Sequence, residues 1–388
     1  MVSVRYTAKE MLSRLVAFDS VSSNSNLPLI EFVESYLDDL GVSSQRVPNA
    51  EGTKSNLWAT IGPDCGGGVI LSGHTDVVPV EGQPWDTDPF VLTEKDGKLY
   101  GRGTADMKAF SAIALSLVPE MLEANLKRPV HLALSYDEEV GCLGAPLMIE
   151  DMATKVKAEA VIVGEPTMMQ VVSSHKGVLG LETHVRGYEV HSSLVHTGVP
   201  AVHIAARLVL WHEETMAENR ARTGQLPEVA LFNPPYTTLH CGVIKGGTAD
   251  NITAKDCMFT TDIRTLPTEN ADDYLEAYRA YVAELEAEMQ KIQPSTGIDV
   301  KVTCAVPGCR REEDGAAERL VRQLTGDNAE HVVAYGTEAG QFQDGGYSTI
   351  VCGPGDIAQA HAANEFLSLQ QLDAGVQFQR RLIEHLSR

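Results

Sequence analysis

No stretch of the chain reaches the ~18 uninterrupted apolar residues that would mark a membrane-spanning helix. No Cys-x-x-Cys pair occurs, and the seven cysteines are odd in number and scattered, with Cys304 and Cys309 the nearest two. That pattern argues against a disulfide framework and for reduced thiols in a cytoplasm. The opening Met1-Val2-Ser3-Val4-Arg5-Tyr6 carries no basic segment followed by an apolar core, so no secretory signal is expected. Positive charge is scarce: 31 Lys and Arg face 53 Asp and Glu, a net charge of -22. A surface that acidic repels phosphate backbones and anionic lipids, which speaks against nucleic acid and membrane partners. There is no internal repeat, no low-complexity tract, no P-loop and no arginine-rich phosphate clamp.

What is present begins with enough apolar residues, 43% of the chain, to build a large core. The length of 388 residues suggests two or three domains at ~150 residues each. The most informative stretch is Gly73-His74-Thr75-Asp76-Val77-Val78-Pro79. The apolar run Gly68 to Ser72 leads into it and reads as a short buried strand. In an α/β protein the C-terminal ends of strands are where ligands and metals sit, and a carboxylate beside a histidine can fix the ring's tautomer. Alone, this His-x-Asp would fit a capped turn with a satisfied histidine just as well.

The same placement recurs along the chain. Residues 7 to 40 read as helix, with Thr7 and Glu10 forming a capping box and a second helix over Pro28 to Leu40 ending at Gly41. Ser55 to Ile61 reads as a strand. The glycine-rich Tyr100 to Lys108 then opens a helix expected over 107–124, with Asp106 at its start, where exposed N–H groups stabilise a carboxylate. Val130 to Tyr136 reads as a strand ending in Asp137-Glu138-Glu139, and Ala158 to Val163 as one ending in Gly164-Glu165. Ser348 to Cys352 leads through Gly353-Pro354-Gly355 to His361, and a helix over 368–386 closes the chain. Alternating strands and helices predict an α/β fold, a mostly parallel sheet flanked by helices, with these positions along one rim. One such placement could be an ordinary N-cap or a solvated acidic turn. Five, of only His, Asp and Glu type, point to a metal site.

Between the fourth and fifth positions the order changes to βαββαβ: strand from Val178, helix from Pro200 to Met216, strands over Thr237–Ile244 and Cys257–Arg264, helix over Ala271–Met289, strand over Ile298–Cys304. That is the split-βαβ, ferredoxin-like pattern. It predicts an inserted α+β domain over 178–305, within a catalytic domain made of 1–177 and 306–388. The polar stretch Asn219 to Glu228 reads as a loop. Met11, Met121 and Met216 read as core, and His131, His184 and His240 as structural.

Two histidines and several carboxylates without cysteine suit Zn²⁺ or a similar divalent ion. Five ligands exceed what one catalytic zinc takes, but they fit two ions roughly 3.5–4 Å apart. Asp106, the lone carboxylate on its loop, is the natural bridge. Pairing His74 with Glu165 and His361 with Glu139 then uses each ligand once. Glu138, held beside Glu139, is placed to take a proton from an activated water, the chemistry of amide hydrolysis.

With these residues assembled, the sequence resembles the M20 family of dinuclear zinc amidohydrolases. The matching stretches are Ser72 to Pro79, Gly101 to Lys108, Asp137-Glu138-Glu139 with Gly141, Gly164 to Thr167, and His361. The resemblance implies His74, Asp106, Glu139, Glu165 and His361 as ligands of two divalent ions, zinc with cobalt as a substitute. It implies Glu138 as the general base and Asp76 as the residue orienting His74. It further implies a homodimer formed through the inserted lid, a catalytic His191 stabilising the oxyanion, and substrate contacts from Asn251, Arg264, Gly336 and Thr337. Within the family, His175-Lys176-Gly177, Tyr335 to Ala339 and Gly353 to Glu365 look most like deacetylases acting on N2-acetyl-L-ornithine in arginine biosynthesis. Ala362-Ala363 after His361, and the absence of Gly or Ala before His191, depart from that subgroup's usual pattern. The resemblance therefore implies hydrolysis of a small N-acyl amino acid. Acetylornithine comes first, and succinyl-diaminopimelate, acetylcitrulline or a short peptide are alternative substrates. A silent binding homologue would have lost a ligand or the base, and all are present.

Overall fold

The structure is a computed structural model, and it describes residues 5–223 and 229–388. Two compact units emerge: one of Met1–Ser174, Cys309–His331 and Thr337–Arg388, the other of His175–Gly308 and Val332–Gly336.

In the first unit, α1 (Ala8–Val16) starts at the Thr7/Glu10 capping box and α2 (Leu27–Asp39) follows after a turn. Next come β1 (Ser44–Pro48), β2 (Ser55–Ile61), β3 (Gly68–His74), β4 (Thr93–Lys95) and β5 (Lys98–Tyr100). The helix expected over 107–124 is divided into α3 (Lys108–Ser116) and α4 (Val118–Glu123). Pro119 is the reason, because it has no N–H to return to the preceding turn. Then come β6 (Val130–Ser135), α5 (Ala145–Ala153), β7 (Ala158–Val163) and β8 (Val172–His175).

The second unit carries β9 (Gly177–Arg186), α6 (Ala201–Arg222), β10 (Thr238–Gly246), β11 (Asp256–Thr265), α7 (Ala271–Ile292) and β12 (Gly297–Val306). Its sheet runs β10-β11-β9-β12, every pair antiparallel, the ferredoxin-like order. Leu179, Leu181 and Val185 of β9 meet Leu208 of α6 and Tyr278, Val282 and Leu285 of α7 in its core. The loop expected from Asn219 begins later, since α6 continues to Arg222; residues 224–228 of that stretch lie outside the described residues. The chain finishes with α8 (Ala316–Thr325), β13 (His331–Val333), α9 (Ala339–Asp344), β14 (Thr349–Val351), β15 (Phe366–Ser368) and α10 (Leu369–Leu386).

The large sheet runs β1-β2-β6-β3-β7-β14-β8-β13. Its centre is parallel: β3 pairs with β6 and β7, and β7 with β14, while β1 and β2 run antiparallel to their neighbours and β8 antiparallel to β14. Strands covered on both faces are apolar throughout, as Val69, Ile70 and Leu71 of β3 are. Because β3, β6 and β7 are parallel and in register, with His74 opposite Ser135 and Ser72 opposite Val163, their C-terminal ends converge. A small antiparallel sheet, β15-β5-β4, lies next to the loop that carries Asp106.

Candidate functional site

Each strand end delivers its side chain by a short extension. His74 is the last residue of β3, with its side chain 1% exposed. Glu138 and Glu139 follow β6 after Asp137, which takes a left-handed φ of 56°. Glu165 follows Gly164 at the end of β7. Backbone fit is tight there: a Cβ on Gly164 would lie 2.0 Å from Cγ of Phe110 on α3, and one on Gly353 would lie 2.0 Å from the Gly164 carbonyl oxygen. Only glycine lets these segments meet.

Asp106 lies between the two histidines. Its Oδ1 is 3.1 Å from Nε2 of His74 and its Oδ2 3.3 Å from Nε2 of His361. Glu165 Oε1 lies 3.9 Å from His74 Nε2, and Glu139 Oε2 lies 2.9 Å from His361 Nε2. The expected ligands are thus gathered as two histidine–carboxylate pairs about one central carboxylate. Ligand atoms of His74, Asp106 and Glu139 all fall within 4.8 Å of one another.

Asp76 touches His74 chiefly through its main chain. Nδ1 of His74 donates to the Asp76 carbonyl at 2.9 Å, whereas the nearest carboxylate oxygen stands 3.7 Å away. The carboxylate is engaged elsewhere. Its Oδ1 accepts the Glu138 N–H at 3.1 Å, and its Oδ2 accepts the Glu139 N–H at 3.3 Å and the Ser22 hydroxyl at 2.7 Å. Asp76 therefore fixes the glutamate doublet, while its carbonyl leaves Nε2 of His74 as the ligating nitrogen. The Cys142 thiol donates to Glu138 Oε1 at 3.2 Å. Beneath the cluster the buried Glu338 accepts the hydroxyls of Ser135 and of Ser72, the latter at 3.2 Å.

The cluster is short of positive charge. Burial pushes the Glu138 carboxyl up to about 8, helped by the charges of Glu139 and Glu338 and opposed by His74. Burial and the charge of Asp106 hold Glu165 well above the carboxylate range. Hydrogen bonds to Asp106 and Glu139 raise His361 to about 10. Burial opposes protonation of His74, yet Asp106, Glu165 and Glu138 outweigh it and hold the ring well above its ordinary value. Asp106 itself is driven down, because the two histidines more than offset its burial. Oε1 of Glu165 is buried without a hydrogen-bond partner among the described residues. Carboxylates crowded this way, an orphaned carboxylate oxygen and two imidazole nitrogens form a donor set that fits divalent cations.

His191, Asn251, Arg264 and Gly336 belong to the second unit. His191 is exposed, and Ser193 N–H donates to its Nδ1 at 3.2 Å, which leaves the proton on Nε2. Ser192 N–H donates to the Asn251 carbonyl at 2.8 Å, tying these two residues together. Arg264 pairs through Nε with Asp262 of its own strand at 3.0 Å. Gly336 packs against Val178, where a Cβ would come within 2.7 Å. Thr337, in the first unit, is fully buried and its hydroxyl accepts the Ala339 N–H at the start of α9. Sequence reasoning passed over Gln83, Arg102 and Glu365, which hold the site from behind. Arg102 stands in the glycine-rich stretch before Asp106 and Glu365 follows His361, but nothing local reveals that they meet.

The sequence matches the family described as Peptidase family M20/M25/M40 over residues 70–385. It is 36% identical over 385 residues to an acetylornithine deacetylase of Pasteurella multocida (strain Pm70), covering 96% of each chain. It is 36% identical over 369 residues to an acetylornithine deacetylase of Myxococcus xanthus, covering 93% of this chain and 92% of that one. In fold it is similar to the M20 family metallo-carboxypeptidase Sso-CP2 from Sulfolobus solfataricus, with a TM-score of 0.76, 18% identity, and 98% and 99% of the two chains covered. It is also similar to a dinuclear metal binding peptidase of the M20 family from Bacillus subtilis, with a TM-score of 0.61, 14% identity, and 98% and 99% covered.

Proposed function

The chain belongs to peptidase family M20/M25/M40 and is a hydrolase of the amidohydrolase type, and from that premise we propose that it removes the acetyl group of N2-acetyl-L-ornithine to give L-ornithine and acetate, a step of arginine biosynthesis. The observation that carries the reaction is the arrangement of His74 with Glu165 and His361 with Glu139 about Asp106. The names of relatives matched over nearly the whole chain support the substrate.

His74 and Glu165 would hold one divalent ion, His361 and Glu139 a second, and Asp106 would offer one oxygen to each; zinc suits the donors, and cobalt can substitute. Such ions, when bound, supply Lewis acidity toward the amide carbonyl and acidify water. Glu138 is the base. Oε1 is engaged by the Cys142 thiol, so Oε2 takes the proton from the attacking water and returns it to the departing amine, and water and amide become acetate and free amine. Asp76 keeps the doublet in place through the N–H groups it accepts. His191, protonated on Nε2, would donate to the oxyanion. Asn251, Arg264, Gly336 and Thr337 would contact the rest of the substrate, with the Arg264 guanidinium suited to its carboxylate.

The working form is a homodimer joined through the second unit. β10 is an edge strand, and Val243 and Ile244 on it are each 50% exposed, the kind of edge a second copy covers. Seven free cysteines suit a reducing cytoplasm.

The test is amine release by zinc-loaded protein from N2-acetyl-L-ornithine and from N-succinyl-diaminopimelate, each with and without a chelator. Chelator-sensitive release from the first alone is expected. Release from the second alone would move the substrate, and no release from either would overturn the reading.

A further inference from the structure

The two histidines are held by different means. His74 ends the central strand of the large sheet and is buried. His361 lies on a loop, with a left-handed φ of 61° and a side chain 57% exposed. Its main chain is fastened from behind. Nε2 of Gln83 donates to the His361 carbonyl at 2.8 Å, and Nη1 of Arg102 donates to the next carbonyl, that of Ala362, at 3.3 Å. Gln83 cannot turn its amide over, because its Oε1 already accepts from Arg102 Nη2 at 2.6 Å and from Trp85 Nε1 at 3.0 Å.

Arg102 is buried and forms an ion pair with the equally buried Glu365 at 2.8 Å. Glu365 uses its remaining capacity on the loop that presents Asp106. Its Oε1 accepts the N–H groups of Ala105 at 2.8 Å and Asp106 at 3.1 Å, and its Oε2 accepts that of Gly103 at 3.0 Å. One buried ion pair therefore pins the main chain of Asp106 directly and that of His361 through Gln83 and the neighbouring Ala362 carbonyl. The arginine fork is needed for this, since a lysine would offer a point charge and not two divergent arms.

We propose that Gln83, held in place by Arg102 and Glu365, forms a positioning clasp that sets the metal affinity of the His361–Glu139 side of the site more than that of the His74–Glu165 side. The proposal rests on the two-ion reading given above. None of the three is among the residues that would hold an ion. They act by fixing where the His361 loop sits relative to Asp106.

The experiment is titration of the chelator-stripped, full-length protein with Zn²⁺ by calorimetry, repeated with Co²⁺ and read in the visible spectrum. Gln83→Glu is the decisive variant: it keeps an acceptor for Arg102 and Trp85 but removes the donor to the His361 carbonyl. A reference variant, His361→Ala, identifies which binding class belongs to that side. Gln83→Glu is expected to weaken that class by about tenfold or more, the scale of outer-shell changes at metal sites. The other class should stay within about twofold. Equal weakening of both classes would reduce the clasp to a general prop, and no change in either would remove it; both overturn the proposal. A wild-type protein binding fewer than two ions would instead overturn the two-ion reading, and the clasp with it.

Discussion

Replacing His131 by glutamine should flatten the acid loss of stability. His131 stands on β6 opposite Thr60 of β2 and is 4% exposed. Its Nδ1 meets the Thr60 hydroxyl at 2.9 Å, and its Nε2 is buried without a partner among the described residues. Burial pushes its pKa down from 6.5 to about 4. A histidine whose folded value is depressed contributes stability that is complete above its unfolded value and is lost as pH falls toward the folded one. At about pH 5 the unfolded ring is nearly all protonated and the folded ring nearly all neutral. Going from about pH 7 to about pH 5 should then cost the folded state roughly 2 kcal/mol through this one group. Glutamine carries no charge at either pH and can keep a hydrogen bond to Thr60. The assay is urea unfolding of both proteins at the two pH values, followed by tryptophan fluorescence in excess chelator. The level change caused by the substitution is irrelevant, because only the difference in slope is read, and the carboxylate cluster contributes equally to both proteins. If wild type and His131→Gln lose the same stability to within about 0.5 kcal/mol, the ring is not held neutral and the reasoning fails.

Further outcomes follow from the site and from the second unit. Glu138→Gln should retain its metal complement, measured by elemental analysis, and lose about 10²- to 10⁴-fold in turnover, the scale of a general base; retained turnover would remove Glu138 from that role. Excess zinc should raise the midpoint of thermal unfolding above that in chelator by about 10 °C, since two ions bound at a thousandfold excess over their dissociation constants contribute ~4 kcal/mol each; an unchanged midpoint would deny a metal site. Val243→Lys combined with Ile244→Glu should convert a dimer into a monomer by light scattering, with unchanged circular dichroism; a variant that stays dimeric would place the interface elsewhere.

The strands that carry the site were readable because a parallel strand covered on both faces leaves an apolar run, and β3, β6 and β7 each end such a run just before a His, a Glu doublet or a Glu. The gathering of His74 with the Glu138-Glu139 doublet and Glu165 also followed once those strands were parallel, whereas His361 lies on a loop well beyond β14 and ends no such strand. Other features left no such mark. β4, β5 and β15 are three residues each, too short for a period to show. The break at Pro119 was visible as a proline, yet the apolar stripe runs across it. Val332–Gly336 rejoins the second unit without any change of composition. The partnership of Arg102 with Glu365 spans 263 positions, and the diversion of the Asp76 carboxylate to the glutamate doublet depends on N–H groups that no side-chain pattern records.

Gly164 and Gly353 constrain this chain in a way that its chemistry does not. Neither bears a functional group, yet each lies where one carbon atom more would strike a ring or a carbonyl at 2.0 Å. In a library of all single substitutions, selected only for growth, these two positions should be as intolerant as the metal-binding residues themselves. A reader ranking residues by intolerance would then mistake a limit on space for a part in the reaction. Selecting the same library for abundance of folded protein separates the two, since a lost ligand leaves a chain that still folds and a crowded glycine does not.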